Sequence, residues 1–143
     1  MSPKTGIQIA LQSFGFKHGL PPSADFVFDV RCLPNPYWQP ALKELTGLDA
    51  EVIAYLENIP AAQRLSLDIY HFIDSFIPYF EADNRESLTI AIGCTGGQHR
   101  SVYMVENIAK QFQLKIPHIK ITHRDLSREC LTINPLSSCC QSK

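Results

Sequence analysis

Apolar and polar side chains alternate over residues 6–14 (GIQIALQSF), the period of a strand with one buried face. Gly15 and Gly19 then bracket Phe16, Lys17 and His18 in a glycine-flanked loop. A short β-branched and aromatic run over 26–31 (FVFDVR) predicts a second strand. Pro34, Pro36 and Pro40 fix φ and remove amide donors, so residues 33–40 form an ordered loop. A short helix is expected over 41–46, stopped at Thr46-Gly47, and Asp49 is placed to N-cap a helix running to Asn58. Pro60 opens a longer helix, with Leu65, Ile69, Phe72, Ile73, Phe76, Ile77 and Phe80 at helical spacing and a kink or early stop expected at Pro78. Residues 88–92 (LTIAI) read as a fully buried strand, 93–100 as a glycine-bearing loop, 101–113 as an amphipathic helix and 117–122 as a last strand. The end of the chain, 129–143, reads as a flexible tail after one domain over 1–128.

Strands separated by helices predict an α/β fold: a single domain with a mainly parallel sheet, helices on both faces, and a phosphate-binding loop between a strand and a helix. Ligand sites in such sheets lie beyond the carboxyl ends of the strands. The loops leaving those ends are 15–19, 31–40 and 93–100, and they are rich in Gly, Pro, His and Arg.

Length and composition agree with that picture. The chain has 143 residues, 45% hydrophobic and 19% charged, enough for one core without disulfides or a structural metal. Its longest apolar runs are a few residues, against the roughly 18 needed to span a bilayer, and the start shows no secretory apolar segment. Five cysteines without a framework spacing or a C-x-x-C pair point to reduced thiols, a cytoplasmic location, and neither a zinc site nor a redox centre. No metal and no cofactor are expected, and membrane and disulfide-scaffold classes are excluded.

The overall charge of −1 conceals a division. Residues 41–93 hold three basic and nine acidic side chains, a net of −6. Residues 94–128 hold six basic and two acidic, a net of +4, together with His99, His118 and His123. Such a molecule can turn a cationic face to an anion, although one acidic and one basic helical region would give the same count.

The sharpest feature is Gly93-Cys94-Thr95-Gly96-Gly97-Gln98-His99-Arg100-Ser101, between a buried strand and a helix. Amides without intrahelical partners and the positive end of the helix dipole make such a turn an anion site. Gly96 and Gly97 permit close backbone approach, and Arg100 can fork onto phosphate oxygens. The bland alternative is a tight turn whose glycines serve geometry alone. The segment also fits Cys-x5-Arg-Ser, the signature of cysteine-dependent phosphatases. There Cys94 would be the nucleophile, Arg100 the phosphate clamp and Ser101 the aid to thiolate departure. Against that reading, Gly93 stands where those enzymes carry His, and only Asp29 and Asp83 are available as the acid.

Several further residues have two readings. Asp29 and Arg31 face a ligand or pair with each other. Lys17 and His18 contact a phosphate or lie exposed. Trp38 is a lid over the core or a base-stacking platform. Cys32 is a buried or tail-type thiol. Lys120, His123, Arg124 and Arg128 are suited to the phosphates of RNA, or form a solvated stretch.

The segments Ser13-Phe14-Gly15-Phe16-Lys17-His18-Gly19, Phe28-Asp29-Val30-Arg31, Leu33-Pro34-Asn35-Pro36, Thr46-Gly47-Leu48-Asp49, Ile92 to Gly97 and His99-Arg100-Ser101-Val102 resemble the C-terminal domain of the RNase adapter protein RapZ family. The likeness runs in order from about Ile7 to Arg128. It implies a cytoplasmic, self-associating regulatory domain that binds small regulatory RNA, senses glucosamine-6-phosphate and contacts an RNase. The ligand set would be Cys94, Thr95, Gly96, Gly97, Gln98, His99, Arg100, Ser101, Asp29, Arg31, Asn35, Tyr37, Lys17 and His18. Arg100 would be shared with an RNA-binding set of Lys120, His123, Arg124 and Arg128. Two substitutions depart from the family pattern: Gln98 replaces a lysine, and Tyr37 precedes Trp38 where His is common. The family's N-terminal ATP-binding loop, GxxxxGK[ST], does not occur in this sequence. A stand-alone domain is therefore expected, with a separate ATPase-domain protein as a candidate partner.

Overall fold

The computed structural model describes residues 6–126. Its strands are β1 (Gln8–Gly15), β2 (Phe26–Asp29), β3 (Ser87–Cys94) and β4 (Ile119–His123). Its helices are α1 (Ala50–Glu57), α2 (Pro60–Ala82) and α3 (Arg100–Gln113), with short 3-10 turns at Phe16–His18 and Pro36–Trp38. The sheet is entirely parallel, in the order β2-β3-β1-β4. Among the described residues, no helix is long and apolar enough to cross a membrane.

The α/β class and parallel sheet are those the pattern predicts; the placement of the helices differs. The crossovers β2 to β3 and β3 to β4 move across the sheet in the same direction. Right-handed connections then put their helices on the same face. Accordingly α1, α2 and α3 contact one another, and α3 lies on β1, β3 and β4. The core forms there: Ile9, Leu11, Leu88, Ile90 and Ile92 meet Leu56, Ile73, Met104, Ile108 and Phe112, all fully buried. Each such side chain contributes ~1.5–3 kcal/mol of transfer free energy. Among the described residues the other face carries no helix but the segment Pro21–Ser23, beside Ala10, Gln12, Thr89 and Thr122. Those small and polar positions alternate with the buried ones, as befits a half-wet sheet.

Other departures are local. Residues 41–44 form turns and no helix, with Leu42 N–H and Lys43 N–H both donating to Gln39 O. Asp49 stands at the N-cap of α1, but its carboxylate accepts from the Thr46 N–H at 2.8 Å and makes no cap bond. Helix α2 continues through Pro78 to Ala82. Cys32 is exposed. The tail over 129–143, together with Arg128, lies outside the described residues.

Candidate functional site

Parallel strands deliver all their carboxyl ends to one edge, and register makes this literal: Gly15 pairs with Cys94, Asp29 with Gly93 and Ser13 with His123. From Cys94 the chain turns over the end of β1 before entering α3. The turn is closely packed. A Cβ on Gly15 would lie 2.4 Å from the Gly96 carbonyl carbon, and one on Gly97, at φ 78°, 2.7 Å from the Gly15 nitrogen. Lys17 N–H donates to Thr95 O at 3.1 Å, and Gly47 N–H to Gln98 O at 2.8 Å. Gly47 is glycine for the same reason, since a Cβ there would lie 2.4 Å from His99 O.

Arg100, the first residue of α3, is only 4% exposed. Its Nη1 donates to Arg31 O at 3.0 Å and Leu33 O at 2.9 Å, which anchors the side chain and the start of the proline loop. Its Nη2 reaches Thr95 Oγ1 at only 3.4 Å, and its buried Nε has no partner. Among the described residues no carboxylate pairs with it. One edge of the guanidinium is thus structural, while the Nε–Nη2 edge, which grips anions bidentately, retains its donors. A cleft of about 270 Å³ opens here, lined by Lys17, Asn35, Tyr37, Trp38, Cys94, Thr95, Gly96, Gln98, His99 and Arg100. Gln98 Oε1 is a second buried atom without a partner, while its Nε2 donates to Asp125 O at 3.4 Å.

Ten residues therefore converge on the cleft, nine of them in the ligand set above, and the tenth is Trp38. Asp29, Arg31, Gly97, Ser101 and His18 are not among its walls. Arg31 donates to Asp29 through Nε and Nη2 at 2.9 and 2.7 Å and stacks over Phe16, 4.0 Å from its centroid. The Arg31 hydrogen bond holds the Asp29 carboxyl below its ordinary range, the opposite of what a general acid needs. The Cys94 thiol is buried and donates to Ser101 Oγ at 3.2 Å. His123 turns inward, its Nδ1 2.8 Å from buried Ser13 Oγ and its Nε2 2.7 Å from Glu106 Oε2. Arg124 is engaged with Asp125 and with Gly19 O. Lys120 is exposed and borders a separate hollow beside Pro21 and Pro22. Buried Arg100 does not join that surface to the cleft.

His99 lines the cleft but commits its Nε2 elsewhere. Its Nε2 lies 3.2 Å from Leu42 O, and burial holds its pKa below the ordinary 6.5, outweighing the nearby carbonyls of Leu42, Leu45 and Lys43. The neutral ring donates Nε2–H to Leu42 O. Below pH ~6.5 the unfolded chain binds a proton that the folded ring resists, so this residue makes stability fall on acidification. His99→Gln keeps a donor and removes the titration. The expected result is a parent thermal midpoint that falls between about pH 7 and pH 5 more steeply than that of the variant. Parallel curves would contradict the assignment.

Two residues outside the predicted ligand and RNA sets matter here. Asp125, fully buried after β4, accepts from Gly15 N–H at 2.7 Å and from Arg124. Gly47 lies under the loop. The available signal for Asp125 was its place just past a strand's carboxyl end. Among the described residues no group of His, Cys, Asp and Glu is arranged to hold a metal ion.

Fold and site together define a small parallel α/β domain with a buried arginine at the mouth of a glycine loop, opening a helix at the carboxyl edge of the sheet. Residues 7–127 match the model of the RapZ C-terminal domain, and the chain belongs to that family. It is similar to proteins called nucleotide-binding protein from Cellvibrio japonicus (50% identical over 120 residues, 84% of this chain and 40% of that protein) and Pseudoalteromonas atlantica (52% over 120 residues, 84% and 43%). A further relative, nucleotide-binding protein azo0399 of an Azoarcus species, is 50% identical over 133 residues, 93% of this chain and 45% of that protein. The chain thus spans less than half the length of these relatives.

Proposed function

We propose that this domain is a cytoplasmic regulatory module whose cleft binds a phosphorylated metabolite, an amino-sugar phosphate such as glucosamine-6-phosphate, and which also binds RNA. The observation that carries the reading is Arg100: a buried guanidinium with an unpartnered Nε beside helix-terminal amides and Lys17. A buried cation with vacant donors is costly unless an anion satisfies it. Self-association, an RNase partner and a separate ATPase-domain partner belong to the same reading, through the family. RNA contact rests on exposed Lys120, with Arg124 and Arg128 beside it in sequence.

Calorimetry with inorganic phosphate and glucosamine-6-phosphate tests the cleft. Gly96→Asp is the informative variant, because a Cβ there meets nothing nearer than Lys17 Cε at 3.9 Å, so the fold tolerates it while a carboxylate enters the cradle. Binding by the parent and its loss in the variant are expected; a parent silent at millimolar ligand defeats the reading. In gel shifts, about three to five phosphate contacts give a log affinity falling with log salt at a slope of roughly −2 to −4. Salt-independent binding would remove RNA from the proposal. Phosphatase chemistry predicts aryl phosphate turnover that vanishes in Cys94→Ser. Equal background rates in both proteins are expected, given the buried thiol and the tethered Asp29.

A further inference from the structure

The proline loop does something unusual with the chain's single tryptophan. Trp38 is 73% exposed although it borders the cleft, so it is no lid over the core. Its backbone is nevertheless held firmly. Pro36 is buried, Tyr37 N–H donates to Asn35 Oδ1 at 3.0 Å, and Trp38 N–H donates to Asn35 O at 3.1 Å. The ring is buttressed as well: Tyr37 meets it edge to face at 5.4 Å and 84°, and Lys43 Nζ stands 5.0 Å from the Tyr37 centroid on the flank. An exposed indole on a pre-ordered loop costs little entropy to stack upon and gains contact area when covered.

The cleft beside it is small. About 270 Å³ lies just below the ~300–1,000 Å³ of ordinary ligand pockets, a size suited to a phosphate and a sugar. Trp38 shares the walls of that cleft with Arg100, and its exposed ring is open to a group that continues toward solvent from a phosphate bound there.

We propose that Trp38 is a stacking platform for the base of a 5′-phosphorylated nucleotide whose phosphate occupies the Arg100 cleft, as a free nucleotide or as the 5′ end of an RNA. The inference rests on the anion reading above and adds the ring. Stacking of a base on an aromatic side chain strengthens binding by about tenfold or more and tolerates any base, because each has a π face. It also gives a reason for RNA and a sugar phosphate to compete, namely a shared phosphate position.

A single tryptophan makes the test direct. Uridine 5′-monophosphate, ribose 5-phosphate, inorganic phosphate and uridine are titrated while Trp38 fluorescence and calorimetric heat are followed. Uridine 5′-monophosphate should quench the fluorescence and bind at least tenfold more tightly than ribose 5-phosphate. Trp38→Ala, checked for folding by its thermal midpoint, should reduce that ratio to about one, and Trp38→Phe should retain part of it. A ten-residue oligouridylate with a 5′-phosphate binding more tightly than its 5′-hydroxyl counterpart identifies RNA ends as a source. A preference confined to the mononucleotide identifies the free nucleotide. If phosphate and ribose 5-phosphate bind but the nucleotide gains nothing, the platform is refuted and the anion cleft stands. Equal quenching of the parent by ribose 5-phosphate, with its calorimetric affinity lost as fully as that of the nucleotide in Trp38→Ala, would also refute it, since the ring would then be reading the sugar. If no phosphate compound binds, the cleft itself fails.

Discussion

Replacing Asp125 by alanine is expected to lower the unfolding free energy by roughly 1–3 kcal/mol, the range for leaving a buried donor unsatisfied. The carboxylate is fully buried and accepts from Gly15 N–H at 2.7 Å, from Arg124 Nε at 3.0 Å and from Arg124 Nη2 at 2.9 Å. Alanine leaves the Gly15 amide unanswered and Arg124 without its carboxylate, holding only Gly19 O, at the strand end on which the glycine loop rests. The effect has a pH signature. Burial pushes the carboxyl up, but hydrogen bonds from Arg124 and Gly15 N–H and the charges of Arg124 and His18 outweigh it, leaving the pKa below 3.8. The unfolded chain therefore takes up the proton first, and this contribution is present above pH ~4 and lost as pH falls through the depressed folded value. Urea unfolding should show a large deficit for Asp125→Ala at neutral pH that narrows near pH 3. A variant with the parent's midpoint at neutral pH would show that the network carries no stability.

Gly97→Ala is expected to cost more than about 2 kcal/mol and to weaken phosphate binding more than tenfold. Two penalties add. At φ 78° a side chain suffers left-handed strain of roughly 1–2 kcal/mol. Its Cβ would also lie 2.7 Å from Gly15 N and 3.0 Å from the Phe14 carbonyl carbon, backbone atoms that no rotamer change can move. The loop must lift off β1, which displaces Thr95 and the amides leading into α3. Gly96→Ala, one residue earlier, has open space and a permitted φ, so its stability should stay close to the parent's. Thermal melts and phosphate calorimetry on the pair decide the point; similar losses in both would mean that glycine is needed for flexibility and not for close approach.

The two positions also explain why Arg100 is available to a ligand. The loop is held from below by Gly15 and Gly47 and from the side by Asp125, while the proline loop is held by Nη1 of Arg100. With both loops fixed by other bonds, the remaining guanidinium edge is preorganised, which lowers the entropy lost on binding.

Local periodicity determined a great deal in this protein. Alternation over residues 6–14, the buried run at 88–92 and helical spacing after Pro60 and after Arg100 are properties of neighbours in the chain, and they specified the strands, the long helices and the parallel α/β class. The glycine loop was legible for the same reason: a strand, two glycines and a helix start lie within ten residues. Tertiary structure alone decided what depends on partners distant in sequence. His99 and His123 look like ligand groups, but Leu42 O, 57 residues away, and the pair Ser13 and Glu106 engage them. Asp125 gained its role from Gly15, 110 residues earlier. The helices share one face because crossover handedness, not hydrophobic pattern, selects the side. Exposure of Trp38 likewise followed from how the proline loop is anchored, through Pro36 and Asn35, since an indole's apolar surface favours the core until the backbone places it elsewhere.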